Sequence, residues 1–239
     1  MTTVHQERTS HFNVGVYSVP EASRLVRMPR GWVKRMVRGY AFRGRKGQPS
    51  ASPPLFRGTH EDVGGVINLS FLDLIELLFV RDFREHGVSM PIIRRAAVVA
   101  AEMFKDLDHP FCLKRFATDG KYIFGTAATE EGDEHMIDLV HRQHVFSQVM
   151  EPFLKQLEYS EAGELLRWFP MGKGTPVVLD PRLSFGAPVV EKFSVPTSIL
   201  YGAFKAGEKD EDIATWYEMP LPSVQAAIAF ERSLQQRAA

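Results

Sequence analysis

The sequence predicts an α+β fold dominated by helices: an N-terminal winged helix-turn-helix, a small mixed α/β middle and a C-terminal three-helix domain with helix-turn-helix-like spacing. Three observations carry that expectation. Two short apolar-faced helical patterns, the second of them basic, occupy residues 18–38 and lead into a basic stretch rich in Gly, Pro and Ser. Two longer helical patterns follow over residues 70–104, and beyond about residue 175 short Val-rich runs give way to further capped helices. The organisation this implies is a winged helix-turn-helix unit over 1–108, a mixed connecting region over 109–174 and a helical domain over 175–239.

With 239 residues, 44% of them apolar and 24% charged, the chain has the length and composition to bury a core. Its one cysteine, Cys112, excludes an internal disulfide framework and any multi-cysteine metal site, and reads as a small core residue. The stretch Met1–Ser10 is polar and lacks the apolar run of a signal peptide. Asn68, Ser70, Asp73 and Glu76 interrupt the greasiest stretch, Val66–Val80, so no membrane span is expected and the cytoplasm is the expected location.

The net charge of zero hides an asymmetry. Residues 1–60 carry 11 Lys/Arg and only two acids, Glu7 and Glu21, whereas residues 61–239 carry 18 basic and 27 acidic side chains. From Arg24 to Arg57 there are ten basic residues and no acid. Such a surface gains free energy by releasing counterions from a polyphosphate, so a nucleic acid is the expected partner, which the family resemblances given below narrow to operator double-stranded DNA.

The elements follow in order. Asn13–Tyr17 alternates weakly, as a short strand does. Ser18 is placed to cap a helix running to about Leu25, with Pro20 and Glu21 in its first turn and Val19, Ala22 and Leu25 on its inner face. Pro29 opens a second helix to about Arg38, because a first-turn N–H has no intrahelical partner to lose. Trp32, Val33 and Met36 then face inward and Arg30, Lys34, Arg35 and Arg38 outward, toward a major groove or its flanking phosphates. Gly44, Gly47 and Pro53-Pro54 suit a hairpin with an irregular tip across 41–58. Such a wing would bring Arg43, Arg45 and Lys46 to phosphates or the minor groove.

Ser70 with Asp73 three residues on makes a capping box for a helix to His86, stopped by Gly87. Apolar residues cover more than one face of that helix. Phe71, Leu74, Leu78 and Phe83 are therefore the expected interface of a homodimer. Ser89 or Pro91 starts another helix ending near Phe104. Phe111–Thr118 and Tyr122–Ala127, flanking Asp119-Gly120, read as a β-hairpin, and Leu165–Pro170 as a strand. His135, His141 and His144, near Glu134 and Asp138, read as surface or packed residues, so no metal and no cofactor is expected. No nucleophile, carboxylate pair or phosphate loop has diagnostic spacing, which argues against an enzyme. After the strand Val177-Val178-Leu179, helices are expected from about Pro196 to Ala206, from Glu211 to Tyr217 with Asp210 as cap, and from Pro222 to Gln235.

Two family resemblances attach to these residues. Tyr17-Ser18-Val19-Pro20-Glu21-Ala22, the basic helix ending in Arg38-Gly39-Tyr40, the wing, the helix from Phe71 to His86 and then Gly87-Val88-Ser89 resemble MerR-type winged helices over about residues 12–105. Met28 departs from that pattern, standing at the start of the recognition helix where a polar cap is usual. The second resemblance covers about residues 175–234. It rests on Asp180-Pro181, Gly186–Val190, Val195-Pro196-Thr197, Gly207-Glu208, Asp212–Tyr217 and Val224–Ile228, and it is to the antitoxin-like domain-of-unknown-function family 433.

Together the two halves look like a VapB-type antitoxin. That resemblance implies neutralisation of a VapC-type PIN-domain ribonuclease toxin and repression of the chain's own operon. It also implies masking of a Mg²⁺-holding carboxylate site, for which Arg232 and Arg237 are candidate inserted cations. The acidic edge Glu208, Asp210, Glu211 and Asp212 suits a protein partner better than DNA. The alternative reading is a free-standing MerR-like transcription regulator with a small-ligand pocket in its middle.

Overall fold

The computed structural model describes residues 15–43, 47–55, 66–105, 108–132 and 152–235. The chain runs β1 (Tyr17–Ser18), α1 (Val19–Val26), α2 (Arg30–Arg38), β2 (Tyr40–Arg43), β3 (Pro49–Ser52), β4 (Asn68–Leu69), α3 (Phe71–Glu85) and α4 (Met90–Phe104). A 3₁₀ turn at Pro110–Cys112 leads to α5 (Phe116–Glu131), β5 (Leu157–Tyr159), β6 (Leu165–Trp168), β7 (Val177–Val178), β8 (Val189–Val190) and β9 (Val195–Pro196). Three helices close it: α6 (Thr197–Lys205), α7 (Asp210–Trp216) and α8 (Leu221–Gln235). Every described sheet is small and antiparallel, pairing β1 with β4, β2 with β3, β5 with β6, and β7, β8 and β9 in that order. The fold is α+β and helix-dominated, as the sequence predicts. Among the described residues no helix is long and apolar enough to cross a membrane.

The two principal N-terminal helices start by the same chemistry. Ser18 and Glu21 form a reciprocal capping box on α1, and Ser70 and Asp73 form another on α3. Gly87, at φ +86°, takes the left-handed turn after α3 that a Cβ would strain.

The four side chains expected at a dimer interface lie elsewhere. Phe71, Leu74, Leu78 and Phe83 are each at most 2% exposed within a single chain. The all-round apolarity of α3 is met from inside: α1 covers one side, and the 3₁₀ turn and the α5 rings of Phe116 and Phe124 cover another. There Phe83 meets Phe124 and Phe79 meets Phe153, each pair with ring centroids 4.5 Å apart, and Phe111 meets Phe116 at 4.8 Å.

The hairpin expected around Asp119-Gly120 is instead α5, which runs through both residues. Phe116, Gly120, Ile123, Phe124, Ala127 and Ala128 are buried, a spacing of three and four that forms one helical face. That face packs on α4, whose Ala96 and Ala100 are fully buried. Small residues on both helices permit the approach, and its packing outweighs the local turn preference of Asp-Gly. The capping residue of α7 is also corrected: Lys209 holds the cap position, and Asp210, Glu211 and Asp212 form the first turn, at the positive end of the helix dipole.

One apolar core contains Tyr17, Leu25 and Leu74 from the N-terminal half, Phe111 and Phe124 from the middle, and Phe230 and Leu234 from α8. A second, built by Val190, Leu200, Ile213, Val224 and Ile228, joins α6, α7 and α8 over the small sheet.

Candidate nucleic-acid interface

The helix pair α1 and α2 turns on residues 27–29. Arg27 adopts the left-handed conformation at φ +56° and its backbone N–H returns to the Arg24 and Ser23 carbonyls. The Met28 N–H donates to the Ser23 carbonyl at 3.1 Å, and the Ser23 hydroxyl donates to the Met28 carbonyl. This double link fixes the turn between α1 and α2. Pro29 holds the cap position without a side-chain bond, its carbonyl accepting from Trp32 at 2.8 Å and Val33 at 3.2 Å. Nothing in the local sequence marks Ser23 for that role except that it is a short hydroxyl side chain.

Val33 and Met36 anchor α2 inward, and Arg30, Lys34, Arg35 and Arg38 are all exposed or half-buried at its outer face. The hairpin β2–β3 follows at once, so closely that a Cβ on Gly39 would stand 2.4 Å from the Ser52 carbonyl oxygen. Its base is tied down twice. The Leu55 N–H donates to the Met36 carbonyl at 2.8 Å, and Arg94 of α4 donates to the Pro53 carbonyl at 2.7 Å. Exposed Arg43 ends β2, continuing the cationic surface of α2; Arg45 and Lys46 lie outside the described residues.

The segment from Val16 through α1 is fastened on its other side to the C-terminal third of the chain. The Tyr17 hydroxyl donates to the Gly186 carbonyl at 2.7 Å and the Val16 N–H to the Phe185 carbonyl at 3.1 Å. Burial pushes the Tyr17 phenol up, so it stays a donor at any physiological pH. Arg24 donates to Glu231 at 2.8 Å, Thr197 donates to the other oxygen of Glu231 at 2.6 Å, and Arg27 donates to Ser233 at 2.9 Å. Between these contacts lies a cleft of about 190 Å³ lined in part by Glu21, Arg24, Phe185, Pro188 and Glu231.

A buried polar group lies between α3 and the 3₁₀ turn. His109 Nε2 lies 2.8 Å from Asp73, and Glu76 accepts from the N–H groups of Phe111 at 2.7 Å and Cys112 at 3.2 Å. Burial works to raise Asp73, but the hydrogen bond and charge of His109 and the bonds from Ser70 bring it below its ordinary value. Burial likewise opposes the charged form of His109, yet Asp73 and Glu76 raise it overall. Burial prevails at Glu76, pushing it up to about 8 against the lowering from His109 and the two backbone donors. These contacts hold the 3₁₀ turn against α3; Cys112 is buried there, its thiol directed at the Leu72 carbonyl.

Of the toxin-facing candidates, Arg232 is exposed with its guanidinium 4.5 Å from the Phe204 ring centroid, and Arg237 lies outside the described residues. His135, His141, His144, Glu134 and Asp138 lie outside them too. Among the described residues no group of three or more His, Cys, Asp or Glu side chains is placed to hold a metal ion.

Three comparisons bear on this arrangement. Residues 177–230 match the family described as "Protein of unknown function (DUF433)", the segment that carries β7, β8, β9 and most of the three closing helices. The chain is 27% identical over 223 residues to a Mycobacterium tuberculosis protein named "Putative antitoxin VapB45", covering 89% of this chain and 92% of that relative. A crystal structure of Rv2018 from Mycobacterium tuberculosis superposes with a TM-score of 0.69 at 24% identity, covering 89% of this chain and 96% of the other. The chain therefore shares its fold with that mycobacterial protein over nearly the whole length of both.

Proposed function

We propose that the chain is a DNA-binding antitoxin of a type II toxin–antitoxin pair, a regulatory rather than catalytic protein, which neutralises a VapC-type PIN-domain ribonuclease and represses its own operon. The observation that carries this reading is the likeness to the antitoxin-named relative across 89% of the chain. Arg30, Lys34, Arg35, Arg38 and Arg43 support the DNA half, standing on the outer face of a helix pair and hairpin that we read as a MerR-like winged helix-turn-helix. In this reading residues 1–108 hold DNA, with Arg45 and Lys46 on the same wing. Residues 109–174 connect, and residues 175–239 carry the surface that meets the toxin. The protein is a homodimer on a two-fold operator, associating through exposed side chains, since the α3 positions are spent on the chain's own core.

The test pairs the full chain with the product of the neighbouring reading frame, which this reading expects to be a PIN-domain ribonuclease. Addition of the chain should abolish RNA cleavage, and a duplex covering the region upstream of its own reading frame should bind it in preference to a scrambled one. Arg232→Glu should weaken toxin inhibition without changing DNA binding. Undiminished cleavage at a molar excess of the chain would overturn the antitoxin reading.

A further inference from the structure

We propose that Tyr40 and Phe42 on the wing form an aromatic wedge that enters the minor groove of the bound duplex, an inference that rests on the DNA-binding reading above. All four residues of β2 are exposed, and the two rings remain 37% and 46% exposed. Residues two apart on a strand project to the same face, and here the ring centroids stand 5.8 Å apart. Their partners across the hairpin are Ser52 and Ser50, too small to cover an aromatic ring. Arg35 of α2 lies with its guanidinium 6.0 Å from the Tyr40 ring centroid. A continuous row therefore runs from the exposed face of α2 out along the wing: a cation, then two aromatic rings.

An exposed aromatic pair on a four-residue strand is poorly accounted for by folding, because neither ring contributes to either apolar core. The occupant is chosen by charge. From Arg24 to Arg57 no acid is present, so the patch is embedded in a surface that favours a polyanion. A duplex offers such a polyanion together with apolar sugar edges and base planes. With α2 in the major groove, a wing immediately following it lies over the neighbouring minor groove. Planar or apolar side chains inserted there unstack a base step and bend the helix. Gly39 and the Arg94–Pro53 bond fix the base of the wing, so the rings enter on a held platform.

The experiment titrates the full chain and its Tyr40→Ala, Phe42→Ala and Tyr40→Ala/Phe42→Ala variants against the upstream duplex at several salt concentrations, with 2-aminopurine scanned along the site. The wild type should bind with a steep salt dependence and raise the fluorescence of 2-aminopurine at one step per half-site. Each single variant should lose at least about fivefold in affinity, in line with the worth of base–aromatic stacking, with no change of salt slope because no charge is removed. The double variant should lose the fluorescence rise. The cation stacks on Tyr40 rather than on Phe42, so the Phe42 variant separates stacking from a displaced Arg35. Unchanged affinity and fluorescence in all three variants, with the wild-type salt slope intact, would overturn the wedge and leave DNA binding standing. Absence of salt-dependent binding by the wild type would overturn both. Binding of the wild type to anionic lipid vesicles with the same Phe42 dependence and no response to DNA would assign the patch to a membrane surface instead.

Discussion

The guanidinium of Arg24 in α1 donates a 2.8 Å hydrogen bond to the carboxylate of Glu231 in α8, joining the first helix to the last across 207 positions. Glu231 is 1% exposed and its second oxygen is taken by Thr197, whereas Arg24 keeps 37% of its side-chain surface in solvent. A buried carboxylate stripped of its cation is costly, while a neutral amide in its place is not.

Arg24→Met should therefore destabilise the wild-type chain more than it destabilises a Glu231→Gln background. The expected coupling in a double-mutant cycle is about 1–2 kcal/mol, inside the range of about 0.5–3 kcal/mol for residues sharing one hydrogen-bond network. Equal losses in the two backgrounds, measured by denaturant unfolding, would remove the pair from any role in holding α1 against α8.

A second contact between the N-terminal segment and the C-terminal third predicts a clash. Gly186 sits at φ +85°, and a Cβ there would fall 2.4 Å from the Tyr17 hydroxyl and 3.0 Å from the ring carbon that bears it. Gly186→Ala should cost about 2 kcal/mol or more, from left-handed strain together with displacement of Tyr17. Tyr17→Phe removes the nearer atom. The double variant should then be less damaged than the sum of the two single losses, and strict additivity of the unfolding free energies would contradict this geometry.

What was legible in the sequence is what short-range chemistry decides. Ser18 with Glu21 and Ser70 with Asp73 cap their helices through groups three residues apart, so four letters suffice to see them. The outward cations of α2 follow from helical spacing around Val33 and Met36. Asp119-Gly120 misled because a turn preference is local and the packing against α4 is not. The periodicity of Phe116, Gly120, Ile123, Phe124, Ala127 and Ala128 stood in the letters and needed a facing helix to give it weight. Phe71, Leu74, Leu78 and Phe83 misled in the opposite sense, since an all-round apolar helix asks for burial without saying whether the cover is α5 or a second copy. Glu231 carried no signal, because its partner Arg24 is set by the chain path across 207 positions, and Ser23 bonds Met28 five residues on, a spacing that no helix cap uses.

The buried group at α3 sets a pH dependence. Glu76 is raised from its ordinary 4.5 to about 8, so the folded state holds a proton that the unfolded chain releases near 4.5. Its contribution to stability is fully present below about pH 4.5 and is lost as pH climbs through about 8. His109 is also raised, and its share is likewise lost on the alkaline side of its ordinary 6.5. Asp73 is lowered and acts oppositely, losing its share as pH falls below its ordinary 3.8. The melting temperature should thus decline between about pH 4.5 and about pH 8, and Glu76→Gln should flatten most of that decline while keeping an oxygen for the Phe111 and Cys112 N–H groups. A variant whose melting curve tracks the wild type across the range would mean that Glu76 does not carry the titration.

The cationic surface predicts how DNA affinity responds to salt. Removing one phosphate-neutralising cation lowers the magnitude of the log K against log salt slope by about 0.9, and a two-fold dimer doubles that to about 1.8 per substitution. Arg43→Ala, on the wing, should weaken the upstream duplex and a scrambled duplex alike, because phosphates carry no sequence. Arg30, Lys34 and Arg35 stand on the exposed face of α2, where a side chain reaches base edges as well as phosphates. Lys34→Ala or Arg35→Ala should therefore also narrow the gap between the two duplexes, by roughly 1–3 kcal/mol where the side chain holds a base edge in bidentate fashion. Arg94→Met removes a side chain that holds the wing from behind rather than facing outward, so it should loosen binding with little change of slope. Salt titrations of these variants on both duplexes separate the three roles: a slope change alone marks a grip on phosphate, a weakened preference marks the reading of a base, and weaker binding at constant slope marks the support of the wing. Identical slopes and identical preference in Arg43→Ala, Lys34→Ala and Arg35→Ala would show that the run of cations from Arg24 to Arg57 serves something other than DNA.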